Sequence, residues 1–540
     1  MIKKVAVVLF MILLIIGLSG NIFAVEKYSA TSEINGVTAS WEYELNESNE
    51  IIRLMCKNPS DLSGKLVIPS SIDGKPVKSL GYGAFKDATG LTSVEVPLSL
   101  TDDCSGFPFE GCSNITEVKF EDGIQKIPGN ICGNLTGITE VTMPNSVTDV
   151  GFSAFDGCSN LANINWSENI NHLGLNAFQD CKSLTRLEIP KSLYKSCGNH
   201  PFEGCSNITE VKFEDGISEI PGFICEDLTG ITDVTIPNSA KEIGAYSFDG
   251  CINLANIDFG TGVERIYINA FQDCISLTSL KFPKSLVKDC GNHPFEGCSN
   301  VTKVEFEEGI LEIPAFICQN LTGLIDFNIP DSVTKIGAYS FEGCSSLEKD
   351  IVIPVNTTDI NIEAFSKCPK IKKVTFLGEI KHMGWGENND AAGDSVFRDH
   401  NEDLTFYCYE GSVPAKYAIN FNIKYKYIQR TGSNTASEKT DNTNTGNTNN
   451  TNYVRNTNNT NIANNIRNTN NTNNASRKNT NNTTKGSTTN TNGTSQRDNT
   501  TASGVLPKTG STMVGVFVFA IIAVVGTISY KKYREINKYI

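Results

Sequence analysis

Repetition at a fixed spacing limits this chain to very few architectures. The segment Pro108-Phe109-Glu110-Gly111-Cys112-Ser113-Asn114-Ile115-Thr116 returns at Pro201 and again at Pro294 with almost the same residues, a period of 93. That length is too great for one repeat unit and divides into four. Inside it a shorter pattern is visible in Ile231-Thr232-Asp233-Val234-Thr235-Ile236-Pro237-Asn238-Ser239, followed by Ile243-Gly244 and Phe248-Asp249-Gly250-Cys251, with a period of 23 or 24. The position held by Cys251 can be followed through Ala88, Cys112, Leu135, Cys158, Cys181, Cys205, Leu228, Cys274, Cys298, Leu321, Cys344 and Cys368. We call it the ladder position. Eight residues before most of these stands an apolar residue such as Leu80, Ile127, Val150, Ile243 or Ile336. A unit this small buries one face only by stacking on its neighbours, so the pattern predicts a solenoid of about thirteen coils.

The local pattern shows which residues point inward. Val234 and Ile236 flank polar Thr235, as in a short strand with one buried face, and Pro237 ends it. The Val-x-x-Ile-Gly stretch makes the next buried segment, and the Ala-Phe-x-Gly-Cys turn closes the coil, with Gly permitting the tight bend. These residues resemble the BspA-like class of leucine-rich repeats found in secreted and surface proteins of bacteria, closely so from Ile68 to Lys373. The resemblance implies a β-rich repeat solenoid with end caps. Trp41, Tyr43 and Leu45, with parts of Ile51 to Cys56, suggest an N-terminal capping hairpin, and Leu404 to Tyr409 with Ala415 to Ile428 look similar to the closing segment of this family. The expected boundaries are a cap over 25–65, the solenoid over 66–376, and an irregular segment with C-terminal cap over 377–428. Within that last part, Leu377 to Asp403 breaks the period and carries His382, Trp385 and His400.

The 17 cysteines invite a disulfide framework in an exported chain. The register favours another reading. Nine fill the ladder position, Cys104, Cys197 and Cys290 fall where other coils carry Val150, Ile243 or Ile336, and Cys132, Cys225 and Cys318 take the Phe position. These are sites for small or apolar buried side chains, so packed, reduced thiols are expected. Cys197-x-x-His200 with Cys205, repeated as Cys290, His293 and Cys298, resembles a metal-ligand spacing, yet the first copy has Cys104, Phe107 and Cys112 and no fourth ligand recurs. Neither a metal nor another cofactor is expected. His382 and His400 lack an accompanying nucleophile and orienting acid, so no catalytic constellation emerges.

Both ends of the chain carry export signals. Lys3 and Lys4 precede an apolar run from Val5 to Leu18, with a cleavage-like end at Ala24, so 1–24 reads as a signal peptide and the mature protein starts at Val25. From 429 to 505 the composition is dominated by Asn and Thr and cannot bury a core, which predicts a disordered spacer. Over 506–540, Leu506-Pro507-Lys508-Thr509-Gly510 precedes an apolar stretch from Met513 to Tyr530 and the basic tail Lys531, Lys532, Arg534 and Lys538. Such a stretch is just long enough to form a transmembrane helix, and cations beyond it resist translocation. The arrangement is similar to the LPxTG sorting signal of sortase-anchored surface proteins of Gram-positive bacteria. The resemblance implies sortase as a partner, cleavage between Thr509 and Gly510, and covalent attachment to cell-wall peptidoglycan through Thr509.

The formal net charge of -14 argues against nucleic acid as a partner, since that interaction rewards clustered Lys and Arg. A non-enzymatic, wall-anchored binding protein is therefore expected, its strand face presented to a host, matrix or cell-surface macromolecule; relatives of this class are frequently adhesins. Candidate contacts are the polar strand positions Glu117, Lys119, Glu210, Lys212, Lys303 and Glu305. Two other readings stay open: a structural stalk or surface-coat component without a specific ligand, and a glycan-acting enzyme with its chemistry in the irregular segment.

Overall fold

The computed structural model describes residues 26–194, 197–384 and 396–430, together with the strand Ala436–Glu438. The signal segment, almost all of the Asn/Thr-rich spacer, the sorting motif with its apolar stretch, and Trp385 lie outside the described residues.

The apolar positions that recur every 23 or 24 residues meet in register. A first column of short parallel strands aligns Leu66 with Val94 and Val118, Leu187 with Val211, Leu280 with Val304 and Phe327, and Ile351 with Val374 and Phe406. A second column of two-residue strands aligns Ile127, Val150 and Leu173, then Ile220, Ile243 and Ile266, then Ile313, Ile336, Ile360 and Met383. Together they wind a β-solenoid of about 15 turns with almost no helix. Among the described residues the one α-helix is Val413–Asn420, whose cap Ser412 accepts a hydrogen bond from the Ala415 backbone N–H.

Both ends of the stack are continuous with flanking structure. Strands Lys27–Ile34, Val37–Leu45 and Ile51–Cys56 form an antiparallel meander in which Trp41 and Tyr43 are buried. Trp41 lies edge-on to Phe85 at 6.0 Å, and parallel bridges from Ile51 to Val77 and from Leu54 to Leu80 make the last strand the first rung of the solenoid. At the other end the register outlasts the sequence boundary at 376, because His382–Met383 still pairs with Asp359–Ile360. Thr405–Cys408 and Lys424–Arg430 then add two further rungs to the first column.

The core is built from neighbours one coil apart. Phe155 stacks on Phe178 at 5.0 Å and Phe178 on Phe202 at 5.4 Å; Phe248, Phe271 and Phe295 repeat the arrangement at 5.0 and 5.1 Å. Such pairs add about 0.5–1.5 kcal/mol each beyond their buried area. Where a coil carries Cys at the Phe position it carries Leu at the ladder position, as in Cys132 with Leu135, Cys225 with Leu228 and Cys318 with Leu321, and all six are buried. Exchanging Phe and Cys for Cys and Leu redistributes volume within one coil, which a close-packed interior demands.

All 17 cysteines are free, buried thiols. Those at the ladder position serve a further purpose: Cys112 donates to the Phe85 carbonyl at 3.0 Å, Cys181 to Phe155 at 3.3 Å, Cys205 to Phe178 at 3.1 Å and Cys274 to Phe248 at 3.2 Å. Each contact ties one coil to the one before it. Cysteine suits the position because it is small, apolar and still a weak donor. Burial pushes Cys104, Cys158, Cys197 and Cys290 up to about 12, so the reactive thiolate is scarce at neutral pH.

The residue before the ladder position has a positive φ in every coil, and its identity alternates: Asn134 (61°), Gly157 (72°), Asp180 (55°), Gly204 (75°), Asp227 (60°), Gly250 (73°). A Cβ at Gly250 would lie 2.2 Å from Asp227 Oδ1. An Asx side chain in the adjacent coil would have to shift to admit it, and the alternation with Gly avoids that conflict.

Two outcomes follow from this packing. Ile243 is fully buried between Ile220 and Ile266, so Ile243→Asp should cost more than about 4 kcal/mol, whereas Glu210→Lys on the exposed side of its strand should leave the circular-dichroism melt unchanged. Titration with a thiol reagent should find few reactive cysteines in the native protein and nearly all of them after denaturation.

Candidate binding face

Along strands such as Glu210–Phe213 and Arg186–Ile189 two side chains enter the core and two face solvent. Glu117 and Lys119 are exposed on Glu117–Phe120, and Glu210 and Lys212 are exposed on Glu210–Phe213 beside buried Val211 and Phe213. Lys303 and Glu305 occupy the same two positions on Lys303–Phe306. The six do not converge. Separated by 93 residues, or four coils, they form three pairs roughly 19 Å apart along the column.

Each pair has its own electrostatic surroundings. Glu117 lies beside Ser93 and Lys119 beside Glu95. Arg186 contacts Glu188 at 2.7 Å and Glu210 at 3.6 Å across the strand pair. Lys303 and Glu305 pair at 2.5 Å, and each holds the other in its charged form, raising the lysine and lowering the glutamate. Exposed pairs of this kind contribute little stability, so these positions are free to vary with what the surface meets. Lys212 makes no ion pair among the described residues.

Two features of the surface were not anticipated from sequence. The first is a groove of about 180 Å³ lined by Trp166, Glu188, Ile189, Pro190, Lys212 and Glu214. It opens at one of the five places, among the described residues, where the first column loses its hydrogen-bonded ladder: Asn163–Asn165 pairs only with Glu140–Thr142, and Arg186–Ile189 pairs only with Glu210–Phe213. A lone tryptophan in an aliphatic and phenylalanine column was the available signal.

The second is a corner of the coil where bulky residues adopt positive φ. His200 (55°), Phe223 (65°) and Tyr246 (57°) follow one another there, as do His293 (53°), Phe316 (65°) and Tyr339 (58°). Phe223 stacks on Tyr246, and Phe316 on Tyr339, both at 5.2 Å. The left-handed region is unfavourable for such side chains, and the stack offsets part of that cost. His200 and His293 are therefore corner residues and do not meet a ligand set with the cysteines of their motif. His200 Nδ1 lies 3.2 Å from Glu226 Oε2 and 3.5 Å from Asp227 Oδ2, while His293 Nδ1 lies 3.2 Å from the Asn320 amide. Among the described residues no three His, Cys, Asp or Glu side chains gather as a metal site.

The irregular C-terminal segment is only partly described. His382 is a strand residue of the second column, and His400 Nδ1 contacts the Phe397 carbonyl at 3.0 Å.

The chain matches, in six copies, the family described as BspA type leucine rich repeat region, over residues 64–182, 125–229, 225–348 and 265–386. Solved structures with similarity include a leucine-rich repeat protein from Bacteroides ovatus at 20% identity, covering 76% of this chain and 100% of that one with a TM-score of 0.43. The Pneumococcal vaccine antigen PcpA is 18% identical over 75% of this chain and 100% of its own, with a TM-score of 0.33. A leucine rich cell surface protein from Faecalibacterium prausnitzii is 21% identical over 64% and 94%, with a TM-score of 0.31. No curated protein sequence matches the chain.

The His200 corner has a pH consequence. Its contact with the Asp227 carboxylate, then the nearby charges of Glu226 and Glu203, outweigh burial and raise the imidazole above its ordinary 6.5. Protonated His200 thus stabilises the fold fully below pH 6.5, and that contribution is lost as pH rises through the elevated native value. Imidazole titration by NMR should place His200 above 6.5 and Asp227→Asn should bring it down; a native value at or below 6.5 would contradict the contact.

Proposed function

The chain belongs to the BspA-type leucine-rich repeat family, and from that footing we propose that it is an exported, non-enzymatic binding protein displayed at the cell surface. The observation that carries this reading is the division of each strand into core and solvent positions. Val211 and Phe213 hold the coil together while Glu210 and Lys212 make no demand on it, so the same scaffold can present a continuous polar surface to a macromolecule. An adhesin that engages a host, matrix or cell-surface partner is the use such a surface fits best. No enzyme family is indicated by the matches, and the charged groups of the face are paired with one another or solvated.

Covalent anchoring belongs to the same proposal. Leu506 to Gly510, the apolar stretch and the basic tail support attachment to peptidoglycan through Thr509 by a sortase in a Gram-positive envelope, after removal of a signal peptide at Ala24 and Val25. The spacer over 429–505 would then carry the solenoid away from the anchor.

The test uses the full chain in a cell that displays it. Thr509→Ala should move it from the wall fraction to membrane or medium. The wild type should retain a specific macromolecule whose capture weakens when the charges at Glu117, Lys119, Glu210, Lys212, Lys303 and Glu305 are reversed. Unchanged wall attachment would remove the sortase assignment, and a chain that retains no partner at all would leave the structural stalk as the better reading.

A further inference from the structure

The near-identical 93-residue blocks make most of the strand face repetitive, and Trp166 interrupts that repetition. At the inward end of the neighbouring strands stand Phe120, Met143, Ile189, Phe213 and Phe259, and all five are buried. Trp166, at the same position, is only partly buried. Phe178 holds its indole by an edge-on contact at 5.6 Å, and the rest of it borders the groove left by the missing ladder bonds.

The polar groups around the indole are already positioned. Glu188, itself exposed, meets the Arg186 guanidinium at 2.7 Å. Glu214 is fixed by the Lys191 ammonium at 2.8 Å and by the Lys191 backbone N–H at 3.0 Å, and that contact holds its carboxyl below the ordinary range. Both carboxylates keep further lone pairs for incoming donors. Lys212 supplies a donor with no ion pair among the described residues. The same break in the ladder follows Glu117–Phe120, Glu210–Phe213 and Asn256–Asp258, but there the inward ends Phe120, Met143, Phe213, Ile236, Phe259 and Phe282 are all buried. At the break between Asp326–Phe327 and Ile351–Ile353, Lys349 is spent on Asp326 at 2.5 Å and on the Phe327 carbonyl at 3.0 Å, and the exposed aromatic is missing.

An aromatic surface beside two carboxylate acceptors and one donor with no ion pair among the described residues, in a space of about 180 Å³, matches the chemistry of a sugar ring. The C–H face of a pyranose packs against an aromatic ring while its hydroxyls both donate and accept. The space holds one ring. We propose that the Trp166 groove binds a single hexopyranose unit of a glycan chain, an inference that rests on the binding reading above and gives its ligand a chemical class.

Three disaccharides, lactose, cellobiose and N,N′-diacetylchitobiose, can be added separately to the full chain and followed by saturation-transfer NMR. At least one should receive saturation on the C–H protons of one ring at millimolar concentration. Trp166→Phe should weaken that binding about tenfold or more without altering the melt, since Phe259 already occupies the equivalent position. Lys212→Ala, on an exposed side chain, should weaken it severalfold and cannot act through unfolding. Transfer to none of the sugars, or transfer that survives both substitutions unchanged, would overturn the proposal. If a macromolecule is still retained by the strand face in that case, the binding function stands and only the glycan class fails; loss of both would remove the binding reading itself.

Discussion

A coil of 23 or 24 residues has too little apolar surface to close a core of its own, so each one is stable only against the coil beside it. The aromatic stack from Phe155 through Phe178 to Phe202 and the thiol-to-carbonyl contacts from Cys181 and Cys205 all join consecutive coils. Stability is then a sum of nearest-neighbour terms. A buried charge in one coil loosens both interfaces it shares, and a change on the outer strand positions touches neither. Function inherits this separation, because the surface can diversify without any cost to the stack.

The same dependence explains the unusual cysteine content. So many cysteines could serve a disulfide framework, but here the thiol performs a packing role that few residues can fill. Alanine would leave a void and the carbonyl of the preceding coil without its contact, and serine would bring a hydroxyl with a higher desolvation cost. Deep burial keeps these thiols protonated, which protects them chemically as well.

Where the regular pattern relaxes, the surface gains individuality. The left-handed corner is part of the regular coil, recurring from Asn130 to Glu363, and breaks in the ladder recur as well. What differs from coil to coil is the side chain placed there, and Trp166 is the partly buried aromatic where Phe120, Phe213 and Phe259 are buried. A duplicated array gains one place unlike the others through such substitutions.

The architecture was legible in the chain itself. A 23-residue period, buried positions eight residues apart and the placement of cysteines at core sites follow from a one-dimensional pattern, because a solenoid maps sequence spacing directly onto neighbouring coils. The alternation of Asn134, Gly157, Asp180 and Gly204 was equally present, but its meaning required knowing that one side chain lies over the next coil's Cα. The candidate face is legible only in part: the alternation along the strand implies the outward side of Glu210 and Lys212, which are exposed, but not their distance from Glu117 and Lys303, by which the six make no single site. The continuation of coil pairing to Met383, the gap between two strands and the carboxylates around His200 were decided by tertiary structure alone. Each depends on how far adjacent coils splay and on which side chains meet across them, and the repeat spacing carries no information about either.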